Sequence, residues 1–106
     1  MLLPPFKIMA QTQVVHKTQS KVRYPNRYNI VFHNDDYTPM DFVVTLLVEI
    51  FNKNITQANE ITMQIHTEQA AVVGTYSKEV AEQKLNETKT IISHSGYQLK
   101  VTLEAV

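Results

Sequence analysis

The stretch YNIVFHNDDYTPM, residues 28–40, predicts a strand, a polar loop and the beginning of a helix. The large side chains of the strand alternate, as in a half-buried strand. They belong to Tyr28, Ile30 and Phe32. Residues 34–37 predict a turn, because Asn and Asp favour turn conformations. Thr38 and Pro39 then predict a helix whose first residue is Pro39 and whose N-cap is Thr38.

The predicted helix continues to about Phe51 and is apolar nearly all round, so several sides of it must be covered. A second helix is predicted after Thr56, with one inward stripe along its length. The stripe consists of Ala58, Ile61, Thr62 and Ile65. Residues 70–76 predict a second strand, and Ser77 predicts the N-cap of a third helix.

The third helix has an inward stripe of its own and ends at Gly96, a residue typical of helix C-termini. The stripe consists of Ala81, Leu85, Thr88 and Ile92. Residues 97–103 alternate between apolar and polar side chains and predict a third strand. The order β-α-α-β-α-β predicts an α+β fold of two layers, a three-stranded antiparallel sheet packed on three helices.

Charge divides the chain into a basic segment and an acidic one. The first 34 residues contain five Lys and Arg residues and no acid, whereas the chain from Asp35 onward contains ten acids and five bases, a net charge of −5. Residues 1–27 have neither helical nor strand periodicity and predict a flexible, disordered basic arm; residues 28–106 predict one folded domain. The arm could be a solvated leader or a segment with its own partner.

Enzyme motifs are absent from the sequence. There is no cysteine, and two glycines cannot form a phosphate-binding loop. His33, Asp35, Asp36 and His66 could meet around a metal, but adjacent side chains such as Asp35 and Asp36 point apart. We therefore expect no enzymatic activity, no metal and no cofactor. No apolar run is long enough to span a bilayer, and a cytoplasmic monomer is the expectation.

Taken alone, residues 34–40 also fit an ordinary strand-to-helix turn, and His66 fits a cation at a helix C-terminus. Several separated blocks, however, resemble the ClpS family of bacterial and plastid adaptors, in the family's order. These blocks are NDDYTPMDFVV (34–44), His66, GTYSKEVAEQK (74–84) and QLKVTLE (98–104). The family recognises N-degrons, destabilising first residues of proteins, and delivers the proteins that bear them to the Clp unfoldase–protease.

The resemblance implies a peptide-binding site. Asn34, Asp35 and His66 match the residues that hold the ligand's α-amino group, and Asp36 and Thr38 match residues that support the loop or contact the peptide backbone. The residues that match the pocket for the first side chain are Met40, Val43, Ile65 and Leu99. Phe, Tyr, Trp and Leu are the expected first residues.

At Thr62 the sequence departs from the family, in which many members have methionine or another large apolar residue facing the pocket. A threonine there predicts a roomier and more polar hydrophobic pocket.

The resemblance also implies a partner. Glu79 and Lys84 match positions that contact the N-terminal domain of a ClpA-type AAA+ unfoldase, and the basic arm matches the family's mobile leader. The alternative hypothesis is a protein-interaction module without N-degron binding, because the C-terminal domain of ribosomal stalk proteins has a similar fold.

Overall fold

A three-stranded antiparallel sheet forms one layer of the molecule. The structure is a computed structural model that describes residues 26–106. The strands are β1 (Tyr28–His33), β2 (Ala70–Tyr76) and β3 (Lys100–Ala105), in the order β2-β1-β3. β1 is therefore the central strand, paired antiparallel with both neighbours. The register with β2 shifts between Ile30, opposite Gly74, and Val31, opposite Val72, which leaves Val73 as the extra residue of a bulge.

Three helices form the second layer: α1 (Met40–Glu49), α2 (Ile55–Glu68) and α3 (Lys78–Ser95). The core lies between the layers, and its largest fully buried side chains include Phe32, Ile30, Leu46 and Leu47. The rings of Phe32 and Phe51 meet edge to face at 5.6 Å and join β1 to the end of α1. The predicted two-layer α+β fold is confirmed.

The helix termini differ in part from the prediction. Thr38 does not cap α1: the N-cap is Pro39, without a side-chain hydrogen bond, and the helix ends at Glu49 rather than Phe51. The hydroxyl of Thr38 is engaged by Asp35 instead. α2 begins at Ile55, earlier than predicted, because Asn54 and Gln57 form a capping box.

The boundaries of α3 and β2 agree with the prediction, whereas those of β3 do not. Ser77 caps α3, and Gly96 ends it in the left-handed conformation at φ 84°. β2 spans the predicted residues. β3 begins later than predicted, at Lys100, so Tyr97 lies outside the strand and packs on Phe42 with ring centroids 4.9 Å apart.

Residues 1–25 of the predicted basic arm lie outside the described residues. Arg27 is described: its guanidinium donates a 3.0 Å hydrogen bond to the Thr75 carbonyl, and its own carbonyl accepts one from the Val106 amide. These bonds attach Arg27 to both edge strands of the sheet. Between residues 26 and 106, no helix combines the length and the apolar character that a membrane span requires.

Candidate functional site

A cavity of about 150 Å³ lies where the loop after β1 meets α1, α2 and the chain entering β3. Ten residues line it: Asn34, Asp35, Asp36, Thr38, Met40, Val43, Thr62, Ile65, His66 and Leu99. They are the ten residues that the sequence analysis assigned to the α-amino site, its supporting loop and the side-chain pocket. The fold therefore brings all ten together, and the roles assigned to them remain predictions.

The acidic side of the cavity is a tight turn. The Thr38 amide donates to the Asp35 carbonyl at 3.2 Å, and the Thr38 hydroxyl donates to Asp35 Oδ2 at 2.7 Å. Thr38 is 9% exposed, so this second bond is shielded from water and holds the carboxylate in one orientation. Asp35 is half-buried, whereas Asp36 is exposed.

Gln69 joins the two sides of the cavity that contain Asn34 and His66. Its backbone carbonyl accepts a 2.8 Å hydrogen bond from the backbone N–H of Asn34, and its side-chain oxygen lies 3.4 Å from Asn34 Nδ2. Its side-chain nitrogen donates to the His66 carbonyl at 3.3 Å. Gln69 itself is left-handed, at φ 74°, between the last residue of α2 and the first of β2.

The connecting role of Gln69 was not predicted from the sequence. A left-handed residue at a helix C-terminus is usually Gly or Asn, and a glutamine gives no such signal. The available clue was its place directly before the predicted strand of residues 70–76.

Apolar side chains form the interior of the cavity. Val43, Ile65 and Leu99 are at most 6% exposed, whereas Met40 is 41% exposed and lies nearer the opening. Thr62 is 5% exposed and places a hydroxyl among these apolar groups. The cavity thus combines a polar opening with a mainly apolar interior, which suits a ligand with one charged end and one hydrophobic end.

The charge of the lining favours a cation. Among the ten lining residues, Asp35 and Asp36 are acidic and His66 is the one that can become positive. Within residues 26–106, no cluster of three or more His, Asp or Glu side chains is placed to hold a metal ion. An organic cation with hydrogen-bond donors matches the carboxylate, amide and imidazole acceptors of this opening.

Glu79 and Lys84 lie on α3 and do not line the cavity. Glu79 is exposed in the first turn of the helix. Lys84 is half-buried: its Nζ donates a 2.7 Å bond to the Ile50 carbonyl at the end of α1 and lies 5.3 Å from the centroid of the Tyr76 ring. Lys84 therefore has a structural contact in addition to its predicted contact with a partner.

The Tyr76 ring lies over Gly74, where a Cβ atom would collide with it. Burial raises the pKa of the Tyr76 phenol, because the charged phenolate is poorly solvated there. Gly74, Tyr76 and Lys84 thus pack as one group at the end of the sheet that is joined to α3.

Comparisons with known proteins identify relatives across most of the chain. The family model described as "ATP-dependent Clp protease adaptor protein ClpS" matches residues 23–102. The ClpS adapter of Vibrio atlanticus is 40% identical over 95 residues, which are 90% of either chain. That of Lawsonia intracellularis is 41% identical over 88 residues, 83% of this chain and 81% of the relative.

A solved structure, Agrobacterium tumefaciens ClpS2 bound to L-phenylalaninamide, superposes with a TM-score of 0.74 at 30% identity. The match covers 78% of this chain and all of that one. The family model, the curated relatives and this structure agree with one another. The chain therefore belongs to the ClpS family of ATP-dependent Clp protease adaptors.

Proposed function

We propose that this adaptor binds proteins through a free α-amino group and a large hydrophobic first side chain, and that it delivers them to a Clp AAA+ unfoldase. The observation that carries the proposal is the cavity itself, in which acidic and neutral acceptors surround the opening and apolar side chains form the interior. In this proposal the chain acts as a cytoplasmic monomer, catalyses no reaction and needs no cofactor.

The α-amino group is the part of such a ligand that most needs a built site. An ammonium group carries one charge and three N–H donors, and removing it from water is costly unless acceptors replace the lost hydrogen bonds. The Asn34 amide oxygen, the Asp35 carboxylate and a neutral His66 nitrogen can replace them. The Thr38 and Gln69 contacts hold Asp35 and Asn34 in place before a ligand arrives, which reduces the entropy lost on binding.

The first side chain supplies the other part of the affinity. Val43, Ile65 and Leu99 offer a dry apolar surface, and burying a Leu or Phe side chain stabilises a complex by roughly 1.5–3 kcal/mol. Each charge-assisted hydrogen bond of the ammonium contributes roughly 1.5–3 kcal/mol. After the cost of association, both parts together give roughly micromolar binding, so neither part suffices alone.

The Agrobacterium relative supports this assignment. Its ligand, L-phenylalaninamide, has a free α-amino group and a phenyl side chain, the two features that we propose this chain recognises. Delivery requires a second surface. We assign it to the part of α3 that includes the exposed Glu79 and the half-buried Lys84, because these residues lie outside the cavity and leave it open to a ligand.

Calorimetry with two peptides tests the proposal. One peptide begins with Phe and has a free amino terminus, and the other has the same sequence but is acetylated. We expect the free peptide to bind and the acetylated one to bind at least about a hundredfold more weakly, because acetylation removes the charge and two donors while the acceptors remain without partners. Equal affinities would show that the amine site is wrongly assigned.

The same titration distinguishes the proposed function from the alternative, an interaction module without N-degron binding. That alternative predicts that neither peptide binds, while binding to the N-terminal domain of the unfoldase persists. A surface-immobilised unfoldase domain provides this second measurement with the same protein sample.

A further inference from the structure

One residue of the cavity lining has a buried hydroxyl without a hydrogen-bond partner. Thr62 lies on α2 and is 5% exposed, and its Oγ1 is the one buried side-chain oxygen or nitrogen in residues 26–106 that meets neither donor nor acceptor. Four other helical threonines donate to the carbonyl four residues earlier. They are Thr45, Thr67, Thr88 and Thr90. Thr62 does not form the equivalent bond to Ala58.

An unpaired buried hydroxyl is unfavourable, because it has lost its hydrogen bonds to water without gaining others. A ligand group that pairs with it recovers this loss on binding. Thr62 lines the cavity, although its Oγ1 is buried in the observed rotamer. A helical threonine has two accessible χ1 rotamers, so rotation about χ1 can turn the hydroxyl towards a hydrogen-bonding group that enters the cavity. A hydroxyl both donates and accepts, so it can pair with a phenol in either direction.

The helix sets the depth of Thr62. Thr62 and His66 are four residues apart on one face of α2, a separation of roughly 6 Å along the helix axis. His66 is exposed at the opening, whereas Thr62 is buried. A ligand whose α-amino group lies at His66 and whose side chain extends along α2 therefore brings the far end of an aromatic ring to the level of Thr62.

We infer that the Thr62 hydroxyl forms a hydrogen bond with the phenol of a substrate's first residue, so that this adaptor prefers substrates beginning with Tyr to those beginning with Phe. This inference rests on the proposed function. Apart from Thr62, the cavity interior is formed by Val43, Ile65 and Leu99, and a purely apolar interior would disfavour the phenol, which is costly to bury unpaired.

The test compares two peptides that differ in the first residue alone, Tyr or Phe, on three proteins: the parent, Thr62→Val and Thr62→Ser. Valine has nearly the shape of threonine without the hydroxyl, and serine keeps the hydroxyl. For Thr62→Val we expect the Tyr peptide to lose roughly threefold to tenfold in affinity while the Phe peptide binds as well or better. Thr62→Ser should keep the preference for Tyr. Thr67→Val, on the exposed face of the same helix, is the matched control and should change neither affinity.

An equal change for the two peptides in Thr62→Val overturns the inference, since the hydroxyl would then bind water or the Ala58 carbonyl in the complex. If Thr62→Val fails to fold, the parent protein provides the test: a peptide beginning with 4-methylphenylalanine, which has the shape of Tyr without its hydrogen bond, should bind more weakly than the Tyr peptide. Equal affinities there also overturn the inference.

The acetylated peptide distinguishes a failure of the proposed function from a failure of the inference about Thr62. If the free Phe peptide binds and the acetylated one does not, the proposed function stands whatever the Tyr to Phe ratio is. If no free peptide binds, the proposed function fails, and the inference about Thr62 fails with it.

Discussion

The hydroxyl of Thr38 donates a 2.7 Å hydrogen bond to Oδ2 of Asp35, across a turn that the backbones of the same two residues also close. Threonine is a preferred N-cap residue, but here the Asp35 carboxylate accepts the hydroxyl hydrogen bond and α1 begins without a side-chain cap. Thr38 thus orients Asp35 instead of capping α1. Such a departure from the local rule is expected where a site requires one orientation of a charged group.

Replacing Thr38 by valine should therefore weaken the binding of peptides equally, whichever residue the peptide begins with. The variant leaves the Asp35 carboxylate free to turn towards water, and we expect a roughly threefold to tenfold loss for peptides beginning with Phe and with Leu alike. Calorimetry measures both. Thr45→Val, the same substitution on the exposed face of α1, should have no effect. A loss confined to one of the two peptides would contradict a role through Asp35.

Met40→Ala should instead change the ranking of first residues. Met40 lines the cavity, and shortening it widens the space around the first side chain. We expect a peptide beginning with Leu to lose about tenfold in affinity and one beginning with Trp to lose less, because the larger ring still meets the opposite wall. The matched control is Met63→Ala, since Met63 is 52% exposed on α2 and does not line the cavity. A uniform loss would place Met40 outside the side-chain pocket.

Lys84→Met and Glu79→Gln should differ in their effect on stability, which distinguishes a structural role from a role in partner binding. Lys84 Nζ binds the Ile50 carbonyl and lies near the rings of Phe51 and Tyr76, so its removal should lower the free energy of unfolding by about 1–2 kcal/mol. Glu79 is exposed, and its replacement should change that free energy by at most about 0.5 kcal/mol.

Urea denaturation measures both values, and binding of the unfoldase N-terminal domain is measured on the same samples. We expect both variants to weaken that binding. If Lys84→Met has the parent's stability, the bond to Ile50 contributes nothing and the structural role of Lys84 is wrong.

Tyr76 should make stability fall in alkaline solution. Burial raises its pKa above the usual 10.0 of tyrosine, so the folded protein holds this proton more tightly than the unfolded chain does. The corresponding stability is complete below about pH 10 and is lost as the pH rises through the folded-state pKa.

Tyr76→Phe should remove this part of the decline while changing stability little at pH 7. Urea denaturation at pH 8 and at about pH 10.5 gives the difference for parent and variant. Tyr37→Phe is the control, because Tyr37 is 88% exposed. An unchanged alkaline decline in Tyr76→Phe would contradict the effect of burial on this phenol.

Much of the fold could be predicted because its local signals agree with each other. Ser77 and Gly96 mark the ends of α3 as expected, and the inward stripes of α2 and α3 predicted Ala58, Ile65, Ala81 and Ile92, which are all buried. One error occurs where a side chain has two possible partners. Thr38 could cap α1 or bind Asp35, and periodicity cannot distinguish these outcomes.

The burial of Val31 shows a second limit of pattern-based prediction. The alternation of β1 assigns Val31 to the face opposite Ile30 and Phe32, yet it is 5% exposed. Its burial follows from the central place of β1, because Val72 and Thr102 pair with it on either side. Strand order is a property of the folded sheet and cannot be deduced from one strand.

The cavity residues were predicted from resemblance to a family and could not have been predicted from spacing. Asn34 and His66 lie 32 positions apart, and only the folded chain brings them together. The unpaired state of the Thr62 hydroxyl also required the structure, since threonines elsewhere in these helices bond to their own backbone.

Gln69 is a short, hydrogen-bonded connection between α2 and β2. One residue connects α2 to β2, and its amide and carbonyl groups bond both to the loop after β1 and to the last turn of α2. Lengthening this connection by a single glycine would let α2 rotate relative to the sheet. The His66 imidazole would then move away from the turn that contains Asp35 and Asp36, while the hydrophobic layers stayed packed. We therefore expect an insertion at this position to weaken the proposed ligand binding more than it weakens folding.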